Sequence, residues 1–83
     1  MDIHIVRKRL SIKSWRRGTK ELDLILGGFA DNHLLTFEID ELDLYEQLLS
    51  NDDHLIYGWL FGKEVVPKTF ASLIKQIQES MYL

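Results

Sequence analysis

Leu22, Ile25, Leu26, Phe29 and Ala30 fall at positions i, i+3, i+4, i+7 and i+8. That spacing lays five apolar side chains along one face of an α-helix. A strand would instead need alternation of period two, and such alternation is weak throughout the chain. The 83 residues and 46% hydrophobic content suit one small globular domain, here expected over 1–83. A chain this short buries only about 60–65% of its unfolded surface, so its core must be drawn from nearly every helix. There are no cysteines, hence neither disulfides nor thiolate metal sites.

Five helices are predicted. The first covers about 4–15, with Ile5, Ile12 and Trp15, and Leu10 nearby, as a narrow apolar stripe between bases. Gly18 turns the chain, since glycine accepts φ > 0 without a Cβ penalty. The second starts near Thr19 with Glu21 in its first turn, where the helix dipole favours a carboxylate, and extends to about Phe37. Gly27-Gly28 inside it indicates a bend or a close helix contact. The third opens at Asp40 as N-cap and carries Leu44, Tyr45, Leu48 and Leu49. After Ser50-Asn51-Asp52-Asp53, the fourth covers about 53–61 with Ile56, Trp59 and Leu60 inward. Pro67 sits in the first turn of the fifth, whose apolar positions are Phe70, Leu73, Ile74, Ile77 and Met81. The fold class is all-α, a compact five-helix bundle.

Charge is divided along the chain. Residues 1–20 hold seven bases and one acid, a net of +6; residues 21–83 hold three bases and twelve acids, a net of −9, which together give −3. The basic end therefore faces something acidic, whether a partner protein, a nucleic acid or the chain's own acidic face. Arginines beside Trp15 could bind nucleic acid, but most of the chain would repel a polyanion. No apolar stretch of about 18 residues exists to enter a membrane. The N-terminus lacks the apolar segment of a secretory signal, and the Arg-rich residues 3–20 run unbroken into the next motif rather than forming a transit peptide. His4, His33 and His54 have no i, i+4 relation, so no helical two-His metal pair is expected, nor any catalytic residue.

The informative constellation is Arg17-Gly18-Thr19-Lys20-Glu21. Arg17 precedes the turn and Glu21 follows it by one helical turn, so a donor fork and a carboxylate can share an exposed corner. An internal Arg17–Glu21 pair closing the turn fits these residues equally well.

Arg7-Lys8-Arg9-Leu10 followed by Ser14-Trp15-Arg16-Arg17-Gly18-Thr19-Lys20-Glu21-Leu22-Asp23 resembles the succinate dehydrogenase assembly factors, the FAD assembly (flavinylation) factors marked by Arg-Gly-x-x-Glu between their first two helices. Leu26-Gly27-Gly28-Phe29-Ala30, Leu44-Tyr45-Glu46-Gln47-Leu48-Leu49, Asp52-Asp53 and Ile56-Tyr57-Gly58-Trp59 extend the resemblance in order over nearly the whole chain. The Gly27-Gly28 pair is richer in glycine than the family's second helix. The resemblance implies a non-enzymatic, chaperone-like factor that binds the flavoprotein subunit of succinate dehydrogenase or fumarate reductase and promotes covalent FAD attachment. It implies Arg17, Gly18 and Glu21 as partner-binding residues, with Arg16 and Asp23 as neighbours, and no stably bound cofactor or metal. It further implies a chain monomeric when free, cytoplasmic in bacteria and in the mitochondrial matrix in eukaryotes. A small nucleic-acid-binding or regulatory protein using the basic first helix is the alternative.

Overall fold

In the computed structural model, residues 2–81 are described; Met1, Tyr82 and Leu83 of the expected 1–83 unit lie outside them. The helices are α1 (Ile3–Ser14), α2 (Lys20–His33), α3 (Ile39–Leu49), α4 (Asp53–Leu60) and α5 (Ala71–Ser80), with 3₁₀ turns at Leu34–Thr36 and Lys68–Phe70. No strand occurs among the described residues. α1 packs along α2 and α3, and α5 lies against α2 and α4.

The second helix buries Leu22, Leu26, Phe29 and Ala30, with Ile25 packed at the core's margin. Ile56, Trp59 and Leu60 of α4 and Leu73, Ile74 and Ile77 of α5 also point inward, as their spacing predicts. Tyr45, Leu48 and Leu49 of α3 are buried together with Leu42, while Leu44 lies at the margin.

Helix α1 differs from its sequence reading. Its core face is Val6, Leu10 and Ser14, a strict i, i+4, i+8 row. Ile5, Ile12 and Trp15 face outward instead, 66%, 44% and 39% exposed. The inward row is hard to recognise because it ends in a serine. Ser14 is fully buried and its hydroxyl donates to the Leu10 carbonyl at 2.7 Å. That uses its single proton, so the Tyr45 hydroxyl, 2.6 Å away, donates to Ser14 Oγ. A polar pair thus joins α1 to α3 inside the core, and neither group is left unsatisfied.

The start of α2 falls where expected, and three other boundaries shift. Thr19 is the N-cap of α2, its Oγ1 accepting the Leu22 N–H at 3.2 Å. α2 stops at His33 rather than Phe37, where the chain tightens into the 3₁₀ turn. α3 opens at Ile39, two residues before the helix that an Asp40 cap would give. Glu38 is its N-cap, and Glu41 reaches back to the Glu38 N–H at 2.9 Å, the reciprocal arrangement of a capping box. Pro67 precedes the 3₁₀ turn, and α5 proper begins only at Ala71.

The two glycines of α2 have different roles, and the helix is continuous through both. Gly27 is a close contact: a Cβ there would lie 2.2 Å from the Trp15 ring, whose Nε1–H donates to Asp31 at 3.2 Å. Gly28 has nothing within 4 Å of its would-be Cβ. Gly28→Ala is therefore expected to raise stability by about 0.5–1 kcal/mol through helix propensity. Gly27→Ala should lower it, because the indole must leave Asp31; urea unfolding of the two variants checks the opposite signs.

Burial pushes the Tyr45 phenol up to about 12, and the nearby Arg17 charge opposes the rise. A folded value above the unfolded one near 10 means a contribution fully present below about pH 10 and lost as pH rises through about 12. Tyr45→Phe is expected to cost about 1 kcal/mol at neutral pH, the lost buried hydrogen bond. It should also flatten the fall in urea midpoint above pH 10 relative to the unsubstituted chain.

Candidate docking corner

The α1–α2 turn is built by side chains that arrive from far along the chain. Arg17 turns its guanidinium inward. Nε donates to Asp53 Oδ1 at 2.9 Å, Nη1 to the Leu49 carbonyl at 2.8 Å and Nη2 to the Asn51 carbonyl at 3.1 Å. Nη2 also lies 2.8 Å from Asp53 Oδ1, in an ion pair whose side chains are 13% and 29% exposed. One arginine therefore satisfies carbonyls at the C-terminal end of α3 and binds the first residue of α4. Carbonyls there have no partner within their own helix, so a cation with several donors is well suited to them.

Two carboxylates hold the backbone of the turn. Asp23 Oδ1 accepts the Arg17 N–H at 2.5 Å, and Asp53 Oδ2 accepts the Gly18 N–H at 2.6 Å. Asp23 is half-buried in this role. Arg16, Gly18, Thr19, Lys20 and Glu21 are exposed above this frame. The five residues singled out by sequence thus divide: Arg17 and Asp23 hold the turn from within, while Arg16, Gly18 and Glu21 lie on its surface. The internal bond joins Arg17 to Asp53, not to Glu21.

Asp53 has no site role in the sequence analysis, where Ser50-Asn51-Asp52-Asp53 marks the break before the fourth helix. Its partner lies 36 positions away, so no local period points to it; the one available signal is an acid at the start of a helix in a chain whose bases cluster at the other end.

Three other bases of the first segment, Arg7, Arg9 and Lys13, find an acid or a carbonyl of their own chain. Arg9 forms two bonds to Glu46 of α3, with Lys13 at 3.6 Å from the same carboxylate. The hydrogen bond from Arg9 holds the Glu46 carboxyl below the usual carboxylate range. Arg7 Nη2 donates to the Phe37 carbonyl at 2.9 Å. Among the described residues no group of three or more His, Asp or Glu side chains is gathered as for a metal ion, and no helix is long and apolar enough to cross a membrane.

Such a fold, with its polar groups spent on shaping a surface turn, defines a small all-helical protein with a braced corner. Residues 8–81 match the family described as flavinator of succinate dehydrogenase. The chain is 37% identical over 78 residues to the mitochondrial succinate dehydrogenase assembly factor 2 of Candida glabrata, covering 88% of this chain and 51% of that protein. The protein of the same name from Saccharomyces cerevisiae is 40% identical over 78 residues, covering 88% and 48%. The FAD assembly factor SdhE of Coxiella burnetii is 36% identical over 66 residues, covering 77% and 79%. The chain spans about half the length of the fungal relatives. It belongs to the flavinator of succinate dehydrogenase family.

Removing the fork while keeping the stem, as in Arg17→Met, leaves Asp53 Oδ1 and the Leu49 and Asn51 carbonyls without the Arg17 donors and is expected to cost about 2 kcal/mol in urea unfolding. Glu21→Ala, at an exposed position, should stay within about 0.5 kcal/mol.

Proposed function

We propose that this chain is an assembly factor that binds the flavoprotein subunit of succinate dehydrogenase, of fumarate reductase or of both, and promotes covalent attachment of FAD there. The observation that carries this reading is the braced corner presenting Arg16, Gly18 and Glu21 in a chain belonging to the flavinator family. A turn held by two carboxylates and an arginine keeps the same shape before and after docking, which lowers the ordering cost of association.

The factor performs no bond-making of its own in this reading. The flavoprotein contributes a histidine as nucleophile and the flavin is the electrophile. Binding one domain arrangement of the immature subunit holds the two in reactive geometry, an effect of orientation and of population shift. FAD stays with the flavoprotein, and the factor, monomeric when free, carries no cofactor away. Its compartment is the cytoplasm in a bacterium and the mitochondrial matrix in a eukaryote. The basic first segment supports this reading over nucleic-acid binding, because Arg9, Lys13 and Arg17 are engaged by Glu46 and Asp53.

The test is to co-express the factor with the flavoprotein subunit and read covalent flavin by in-gel fluorescence. The unsubstituted chain should raise the signal. Glu21→Ala should lower it by roughly tenfold, the loss of a central charged contact, while its urea midpoint stays put. Equal flavin with and without the factor would refute the function.

A further inference from the structure

Backbone conformation does not explain the glycine at position 18. Among the described residues only Gly62 has a positive φ, at 74°. What Gly18 lacks is room: a Cβ there would lie 2.5 Å from Asp53 Oδ2 and 3.7 Å from Asp53 Cγ, with no other atom within 4 Å. That oxygen is not free to swing aside. It accepts the Gly18 N–H, while Oδ1 of the same carboxylate is held by the Arg17 guanidinium, itself bonded to Leu49 and Asn51. Admitting one methyl group therefore displaces a carboxylate with at least two bonds and loosens the frame of the corner.

We infer that Asp53 is a positioning residue of the docking corner, and that its carboxylate, not the approach of a partner, requires glycine at position 18. Asp53 lies outside the Arg-Gly-x-x-Glu stretch, 35 positions from Gly18. It does not touch the partner; it sets the height of the turn from which Glu21 projects. The glycine is thus a consequence of the internal frame. Removing the Asp53 carboxylate should make a side chain at position 18 tolerable.

The inference rests on the proposed function only for its second measurement. The first uses the full chain alone: thermal unfolding of Gly18→Ala, Asp53→Ala and the double variant. Gly18→Ala is expected to lower the midpoint by about 5 °C, and to change it little further when Asp53 is already alanine. Asp53→Ser removes the same oxygens, keeps a residue suited to a helix start, and repeats the cycle should Asp53→Ala not fold. Equal Gly18→Ala shifts with and without the Asp53 carboxylate would overturn the inference.

The second measurement is affinity for the flavoprotein subunit at a temperature where every variant is folded. Gly18→Ala should weaken binding by roughly tenfold in the unsubstituted background and by less than about twofold beside Asp53→Ala. A tenfold loss in both backgrounds would show that the partner itself demands the glycine, and would overturn the inference. Absence of any binding by the unsubstituted chain refutes the proposed function instead, and the unfolding cycle still decides the role of Asp53.

Discussion

The ion pair between Arg17 and Asp53 joins four elements at one point. Arg17 follows α1, its backbone is fixed by Asp23 of α2, its fork satisfies carbonyls at the end of α3, and its counter-ion begins α4. In a chain of 83 residues, with helices of 8 to 14 residues, apolar burial alone leaves little margin, and helix ends are a large share of the backbone. Long side chains reaching across to bond those ends are the local answer. Arg7 does it for Phe37, and Gln78 Nε2 does it for the last residue of α4, donating to the Leu60 carbonyl at 3.0 Å.

The core uses the same economy of polar groups. Ser14 and Tyr45 are completely buried, yet each is bonded, so the contact between α1 and α3 is directional as well as apolar. A leucine pair could fill such a space but would tolerate sliding. A hydroxyl pair fixes the register of the two helices, and register matters here because both helices end at the corner.

Much of this was legible in the residues. Helices α2, α4 and α5 show their inward faces because large apolar side chains recur at spacings of three and four. α1 conceals its inward face: a serine occupies one inward position, while two isoleucines and a tryptophan occupy the outside, and only the partner Tyr45 makes Ser14 a core residue. The start of α3 was misplaced because Asp40 is the better cap by type, whereas Glu38 and Glu41 act together. Arg17, Gly18 and Glu21 mark the α1–α2 turn in the sequence, but the frame inside that turn leaves no such mark. Asp53 is 36 residues from Arg17, and a contact at that separation leaves no trace in local periodicity.

That separation has a kinetic meaning. The α1–α2 turn could form early as a local structure, but its frame cannot close until α3 has ended and α4 has begun, since Leu49, Asn51 and Asp53 all lie at that junction. Contacts between distant positions assemble late, after loop entropy has been overcome. A chain that is only partly folded, on the ribosome or after transient opening, therefore lacks the finished corner. Under the proposed function, docking competence is then a property of the completed fold, and a half-folded chain has no finished surface with which to engage a target.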